Sequence, residues 1–393
     1  MGVIDSPPKR LRRSPPGGQR WRTGGAGSAA FAWLLRVFGT LLASLGIAPA
    51  QAAVLPDDRA EALLHVYDGG GVRAAGPAFL VRKSLADRVA LSAQYYVDAV
   101  SNASIDVVTT ASPFKETRTA FGLGADYLVR DALLSFSMDS SKEPDYQADT
   151  FNLNVSQDVF AGMTTLSIGF GRGRDDVGKK DIGMFDHATH WQYRTGVTQI
   201  LSPRWLASAN FEVVSDDGYL GNPYRAAQEF GAFVPERVPR TRSSRAVKLR
   251  AIGDIGEAGN RLAVRGEFRH YWDTWDIKAE TLEFGASRYF GSQWLADASL
   301  RYYTQSKALF YSDNAPQQNL YVTRNRQLGQ FNSIGLNLKT TYTFGGAAAK
   351  YGTKLSGGYE FKKFSFKDFT DLRTGQPYSH NAHVLQVYVS ATY

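Results

Sequence analysis

The chain has no cysteine, which excludes disulfide frameworks, thiolate nucleophiles and thiolate metal centres and suits a cell-envelope protein of a Gram-negative bacterium. After residue 52 it has no apolar run approaching the roughly 20 residues that a membrane helix needs. No serine, histidine and aspartate stand in an order that marks a hydrolase. No phosphate-loop lysine follows Asp68-Gly69-Gly70-Gly71, so that stretch reads as a turn needing positive φ. The protein is expected not to be an enzyme.

What is present begins with a leader. Lys9, Arg10, Arg12, Arg13, Arg20, Arg22 and Arg36 precede an apolar run over residues 37–48, and small residues follow up to a cleavage site around Ala52. Residues 1–52 therefore read as a secretory signal peptide with an extended basic n-region. The leader holds most of the excess positive charge, so the overall +8 falls to about +2 in the mature chain, and nucleic-acid binding loses its support. No linker interrupts residues 53–393, which are expected to form a single domain, with 53–77 either a plug or the first strand.

The mature chain alternates apolar and polar residues in segments of about ten, the pattern of strands with one face toward lipid and the other toward a lumen. Thr119, Phe121, Leu123, Ala125, Tyr127 and Val129 alternate with Gly122, Gly124 and Asp126. Trp294, Ala296, Ala298, Leu300 and Tyr302 alternate with Asp297, Ser299 and Arg301. Aromatic pairs such as Tyr95-Tyr96, Tyr271-Trp272 and Tyr289-Phe290 fall near segment ends, where interfacial girdles belong. The fold class is all-β, an antiparallel transmembrane β-barrel of about sixteen strands, with fourteen as the alternative. Candidate strands fall near 62–67, 78–84, 88–98, 117–129, 132–140, 149–159, 163–173 and 189–201. The series continues near 204–214, 245–255, 261–272, 277–288, 293–305, 330–343, 352–365 and 383–393. Parity puts the short turns on the periplasmic side and the long loops 99–116, 174–188, 215–244, 306–329 and 366–382 outside. Leu385, Val387, Val389 and Ala391 alternate up to Tyr393, an ending that resembles the insertion signal read by the barrel-assembly machinery. The chain is expected in the Gram-negative outer membrane, in contact with its lipid and lipopolysaccharide.

On this register Lys248, Arg250, Arg265, Glu267, Arg269, Asp297, Arg301 and Lys339 point into the lumen, either as ordinary solvation or as a lining that favours anions or holds a plug. Arg237, Arg240, Arg242, Arg245, Lys248 and Arg250 descend from an external loop and suit lipopolysaccharide phosphates. His187 and His190 share a presumed loop with Asp175, Asp176, Asp181 and Asp186, where a surface metal would require the side chains to converge. His65, His270, His380 and His383 read as rim residues, and no metal site is assigned.

Several stretches resemble the domain of unknown function 3570 family, predicted outer-membrane barrels of Gram-negative bacteria. They are His65-Val66-Tyr67-Asp68-Gly69-Gly70-Gly71-Val72, Gly76-Pro77, Leu80-Val81-Arg82-Lys83, Tyr95-Tyr96-Val97-Asp98, the loop Ser104–Pro113 and Ser156-Gln157-Asp158. Gly221-Asn222-Pro223-Tyr224-Arg225, Pro239-Arg240-Thr241-Arg242, Tyr271-Trp272-Asp273-Thr274-Trp275 and Arg301-Tyr302-Tyr303-Thr304-Gln305 complete the set. The resemblance implies a link to envelope redox chemistry, because members are often encoded beside a periplasmic flavin transferase and a thioredoxin-like protein. Asp106-Val107-Val108-Thr109-Thr110-Ala111-Ser112 resembles the transferase's motif, with Ser112 as the FMN acceptor, Asp106 and Thr109 as recognition residues, and Thr110 where Gly or Ser is commoner. The other reading of that loop is structural, its hydroxyls capping turns before Pro113. Three functions follow: a transport or conduit barrel, a covalently flavinylated redox-associated barrel, and a non-conducting structural or adhesive scaffold.

Overall fold

A computed structural model describes residues 54–102, 114–179, 183–257, 261–345 and 352–393. The predicted leader lies outside them, as do Asp106, Thr109 and Ser112. The strands are β1 (Arg59–Gly69), β2 (Val72–Ala86), β3 (Val89–Asn102), β4 (Phe114–Val129), β5 (Ala132–Lys142) and β6 (Tyr146–Val159). Then come β7 (Thr164–Lys179), β8 (Met184–Ser202), β9 (Trp205–Gly218), the short β10 (Ala226–Glu229) and β11 (Ala232–Pro235), and β12 (Thr241–Asp254). The last six are β13 (Leu262–Asp273), β14 (Lys278–Phe290), β15 (Trp294–Gln305), β16 (Phe331–Thr343), β17 (Gly352–Asp371) and β18 (Gln376–Thr392). β10 and β11 pair only with each other, and the other strands form one closed barrel in which β1 joins β18. That is sixteen barrel strands, one for each segment that the alternation marks. All neighbours are antiparallel, and Arg59–Gly69, weighed as a plug, is the strand that closes the barrel.

Closure leaves no unpaired edge, the condition for a sheet to cross hydrocarbon. The outer face meets the other condition. Phe121, Leu123, Ile168, Leu300 and Leu338 are exposed there, Ile168 to 69%. A water-soluble protein rarely displays so continuous an apolar surface, whereas lipid covers it without cost. At the end holding the termini, Trp294 packs on Tyr342 at 4.9 Å and Tyr342 on Phe344 at 4.9 Å, an aromatic girdle at the headgroup level. The seam is also tied there: the Tyr393 amide donates to the Asp58 carbonyl at 3.2 Å, and the Lys83 ammonium lies 4.8 Å from the Tyr393 ring centroid. Leu385, Val387, Val389 and Tyr393 face outward beside this seam.

Two expected external loops are strand instead. β7 and β8 continue through most of 174–188, and β17 and β18 through most of 366–382. Beyond the lipid the alternation inverts, which hid these extensions. On β17, Lys363 and Lys367 face out, while Phe364 and Phe366 are buried inward against Tyr67, Val100, Phe331 and Tyr378. The tight turn after β1 uses Gly70 at φ +60° and Gly71 at φ +81°, the left-handed conformations expected of the glycine run.

Candidate functional site: a capped and charged lumen

All eight lumen-facing side chains expected from the alternation lie opposite lipid-facing neighbours: Lys248 and Arg250 flank exposed Leu249, Glu267 and Arg269 flank Phe268, and Lys339 follows Leu338. Several are paired across strands. Lys248 meets Glu267 at 2.9 Å, Arg265 forks onto Asp297 at 2.6 and 3.0 Å with Glu283 at 3.9 Å, and Arg269 lies 3.8 Å from Glu212. Lys339 instead lies 4.8 Å from the Tyr388 ring, and Arg250 buries its Nε without a hydrogen-bond partner. Among the described residues Arg250, Arg301 and Lys339 form no ion pair, because the nearby carboxylates are engaged elsewhere. The wall from β12 to β16 therefore keeps three cations that no carboxylate neutralises.

Toward the far end the lumen face carries buried polar clusters. His65 Nε2 donates to Asp98 Oδ1 at 2.7 Å, the Tyr96 hydroxyl donates to the other Asp98 oxygen, and the Tyr96 ring stacks on the imidazole at 5.3 Å. Gly76 on the intervening strand makes this possible. A Cβ there would fall 1.7 Å from the Val97 carbonyl oxygen, so only glycine lets β2 and β3 approach so closely. His65 is only 2% exposed, so its reading as a rim residue is corrected. Its partners come from β3, which a lone histidine in β1 does not announce.

His187 and His190 also need correction. Both lie within β8, not in a loop, and three residues of strand put them on opposite faces. His190 turns inward, where its ring nitrogens donate to Asp216 at 2.7 Å and Asp175 at 2.8 Å. The Tyr146 hydroxyl donates to Asp175 as well. Asp176 pairs with Arg174 at 3.5 Å and Asp186 with Arg240 at 2.7 Å, Asp181 lies outside the described residues, and no group of metal-ligating side chains occurs among the described ones.

The basic run after residue 236 is mostly paired within the fold. Arg237 pairs with Glu229 at 2.6 Å, Arg240 with Asp186, and Arg242 Nε donates to Asp273 at 2.9 Å. The Asp273 side chain is fully buried and organises the turn after β13. It accepts from the amides of Trp275 and Ile277, each at 2.9 Å, and from the Tyr271 hydroxyl at 2.8 Å. Arg245 alone of the upper run faces out without an ion pair among the described residues.

Beside these clusters two loops fold over the mouth, the end of the barrel opposite the termini. Residues 219–240, including the β10–β11 hairpin, reach across to the wall: the Tyr224 hydroxyl donates to Asp145, and Lys179 donates to the Pro223 carbonyl at 3.1 Å. Residues 306–330 fold inward, with Gln305 donating to the Gln327 and Gly329 carbonyls at 2.9 and 2.8 Å. The Arg326 guanidinium sits 5.3 Å from the ring of inward-facing Tyr378. The loops hold each other through Ala227, Ala315 and Val322, all fully buried, and through Arg237 donating to the Asn319 carbonyl at 2.9 Å. The second loop is anchored to β17 by the Tyr311 hydroxyl, which donates to the Asp368 carbonyl at 2.9 Å.

Where the first loop meets the wall, Glu116, Glu143, Asp145 and Tyr146 surround a small space beneath Pro223 and Tyr224. Glu143, in the turn between β5 and β6, has its carboxyl pushed up to about 7, chiefly by burial; Arg118, 4.0 Å away, opposes the shift and Asp98 adds to it. A folded pKa above the unfolded value means that the protonated form stabilises the fold fully below about pH 4.5, and that this contribution is lost as pH rises through about 7. Glu143→Gln is expected to be more stable than the parent by roughly 1–3 kcal/mol at pH 8 and equal to it at pH 4, read from urea titrations in lipid vesicles. An unchanged pH profile contradicts this reading of the acidic corner.

Many of the residues that carry the family resemblance collect around this mouth: His65, Gly76, Tyr96, Asp98, Tyr224, Arg242, Asp273, Trp275 and Gln305 take part in the contacts above, whereas Lys83 and Asp158 lie at the end that holds the termini. No curated protein matches the chain. Among solved structures it is similar to a bacterial polysaccharide outer membrane secretin at 9% identity and a TM-score of 0.51, over 86% of this chain and 100% of that one. It is also similar to CdiB from Acinetobacter baumannii (10% identity, TM-score 0.46, 85% of this chain and 60% of that one). A Pseudomonas aeruginosa FadL homologue gives 11% identity and a TM-score of 0.41 over 86% and 90%. At such identities the likeness is one of fold, the outer-membrane β-barrel. The family model for a protein of unknown function, DUF3570, matches residues 105–182 and 179–361, more than half of the sequence, so the chain belongs to the DUF3570 family.

Proposed function

We propose that the barrel is a gated conduit of the Gram-negative outer membrane, with a lumen that favours small anionic solutes and a mouth closed by the loops 219–240 and 306–330. The observation that carries this reading is the set Arg250, Arg301 and Lys339, lumenal cations left without ion pairs among the described residues while their neighbours are matched. An anion path requires positive charge that is not already neutralised, and these three cations supply it on the β12 to β16 side of the lumen. In planar bilayers across a KCl gradient, the reversal potential should take the sign of anion preference, and the double variant Arg250→Glu, Arg301→Glu should move it toward cations. A reversal potential that the double variant leaves in place rejects the lumenal cations as the selectivity determinant.

The Asp106–Ser112 motif supports a separate proposal, FMN attached through Ser112 by a periplasmic flavin transferase. β3 ends and β4 begins at the end of the barrel opposite Arg59 and Thr392. With the termini in the periplasm, attachment would precede insertion. Intact mass after co-expression with the transferase should show one FMN adduct that Ser112→Ala abolishes; an unmodified mass defeats the proposal.

A further inference from the structure

The lipid-facing wall also carries a depression, outside the lumen. It encloses about 550 Å³ on the outer surface of β13 to β18, a volume within the roughly 300–1,000 Å³ typical of ligand sites. Leu262, Arg288, Ala296, Thr340, Gly357 and Val387 are successive cross-strand partners in one row of the sheet. The small members of that row, with Ala286 and Ala298 in the next, lower the floor between the larger side chains Leu338, Tyr359 and Leu385. Gly357 contributes most directly, since a Cβ built on it would meet no atom within 4 Å.

One row nearer the short turns lie Phe290, Trp294 and Tyr342, the aromatic girdle. The depression thus begins at the headgroup level and extends into the acyl region. Arg288 stands at that boundary. Its guanidinium lies 5.3 Å from the Phe290 ring, and among the described residues it makes no ion pair.

We propose that this depression binds a phospholipid, its phosphodiester on Arg288 and one acyl chain lying over Ala286, Ala296, Ala298 and Gly357. Charge decides the occupant. A second copy of the barrel packed here would strip water from Arg288 against a face whose lining residues include no outward carboxylate, and an unpaired buried charge is strongly unfavourable. A phosphodiester supplies the counter-charge, and guanidinium recognises it with two parallel hydrogen bonds. The apolar chain fills the groove that the small residues leave.

Native mass spectrometry of the barrel extracted from membranes in mild detergent tests the site. The wild-type chain should retain one phospholipid mass. Gly357→Leu, which has space for its side chain, and Arg288→Gln should each reduce that occupancy at least about fivefold while keeping heat-modifiable gel migration, which reports folding. Should either variant fail to fold, the wild-type chain refolded into phosphatidylglycerol or digalactosyldiacylglycerol vesicles gives the second reading, because only the lipid with a phosphate should co-purify. Equal retention in folded variants, equal retention of digalactosyldiacylglycerol, or a dimer that Gly357→Leu dissociates would each overturn the proposal.

Discussion

Asp273→Ala is expected to lower the stability of the barrel by roughly 3–5 kcal/mol, the cost of leaving a buried cation without its partner. The Asp273 side chain is fully enclosed, and its two oxygens accept from Arg242, from the Tyr271 hydroxyl and from the amides of Trp275 and Ile277. Alanine would strand the Arg242 guanidinium, which otherwise lies over the Trp275 ring at 4.5 Å, and would leave two buried amides unsatisfied. The damage should spread upward. Trp275 donates from its indole to the Thr241 carbonyl at 3.0 Å and packs with Ala308, Tyr311, Leu220 and Val238, which belong to the two mouth loops or adjoin them. Urea titration in lipid vesicles should therefore show the loss of stability, and an external protease should cut within 219–240 or 306–330 in the variant but not in the parent. An Asp273→Ala barrel as stable and as protease-resistant as the parent would show that the Tyr271-Trp272-Asp273-Thr274-Trp275 turn does not hold the mouth together.

The parts of this molecule that face lipid were legible in the sequence, because the contrast between lipid and lumen writes itself as period-2 alternation, as from Thr119 to Val129 and from Trp294 to Tyr302. Strand number, order and the inward direction of Arg265, Asp297 and Lys339 follow from that alone. The strand ends were not legible for a related reason. Above the membrane the outer face of β17 meets water and its inner face packs Phe364 and Phe366, so the pattern inverts while the hydrogen-bonded ladder continues. The clusters at the mouth were hidden differently. His65 needs Asp98 from two strands away and the absence of a side chain at Gly76, and His190 needs Asp175 and Asp216 from strands on either side. Those contacts depend on sheet register, which no local window contains. Their only trace in the sequence was that His65, Gly76, Tyr96 and Asp98 all fall in stretches that carry the family resemblance.

The fold also limits what the loops can be doing. A hairpin with four residues per strand is marginal on its own, yet β10 and β11 keep their pairing because Ala227 packs on Ala315 and Val322 and because Arg237 bridges Glu229 and the Asn319 carbonyl. Tyr224 and Lys179 fasten the same loop to the wall on the side of β6 and β7. On the gated-conduit reading these ties close the lumen at rest, and removing them should have a large effect on current.

Single-channel recording of the intact chain and of a variant lacking residues 226–235 measures that effect directly. The gated-conduit account predicts small or infrequent openings for the intact chain and a several-fold larger, anion-selective conductance once the hairpin is removed. A folded variant that remains electrically silent would contradict the account and leave the barrel a structural scaffold.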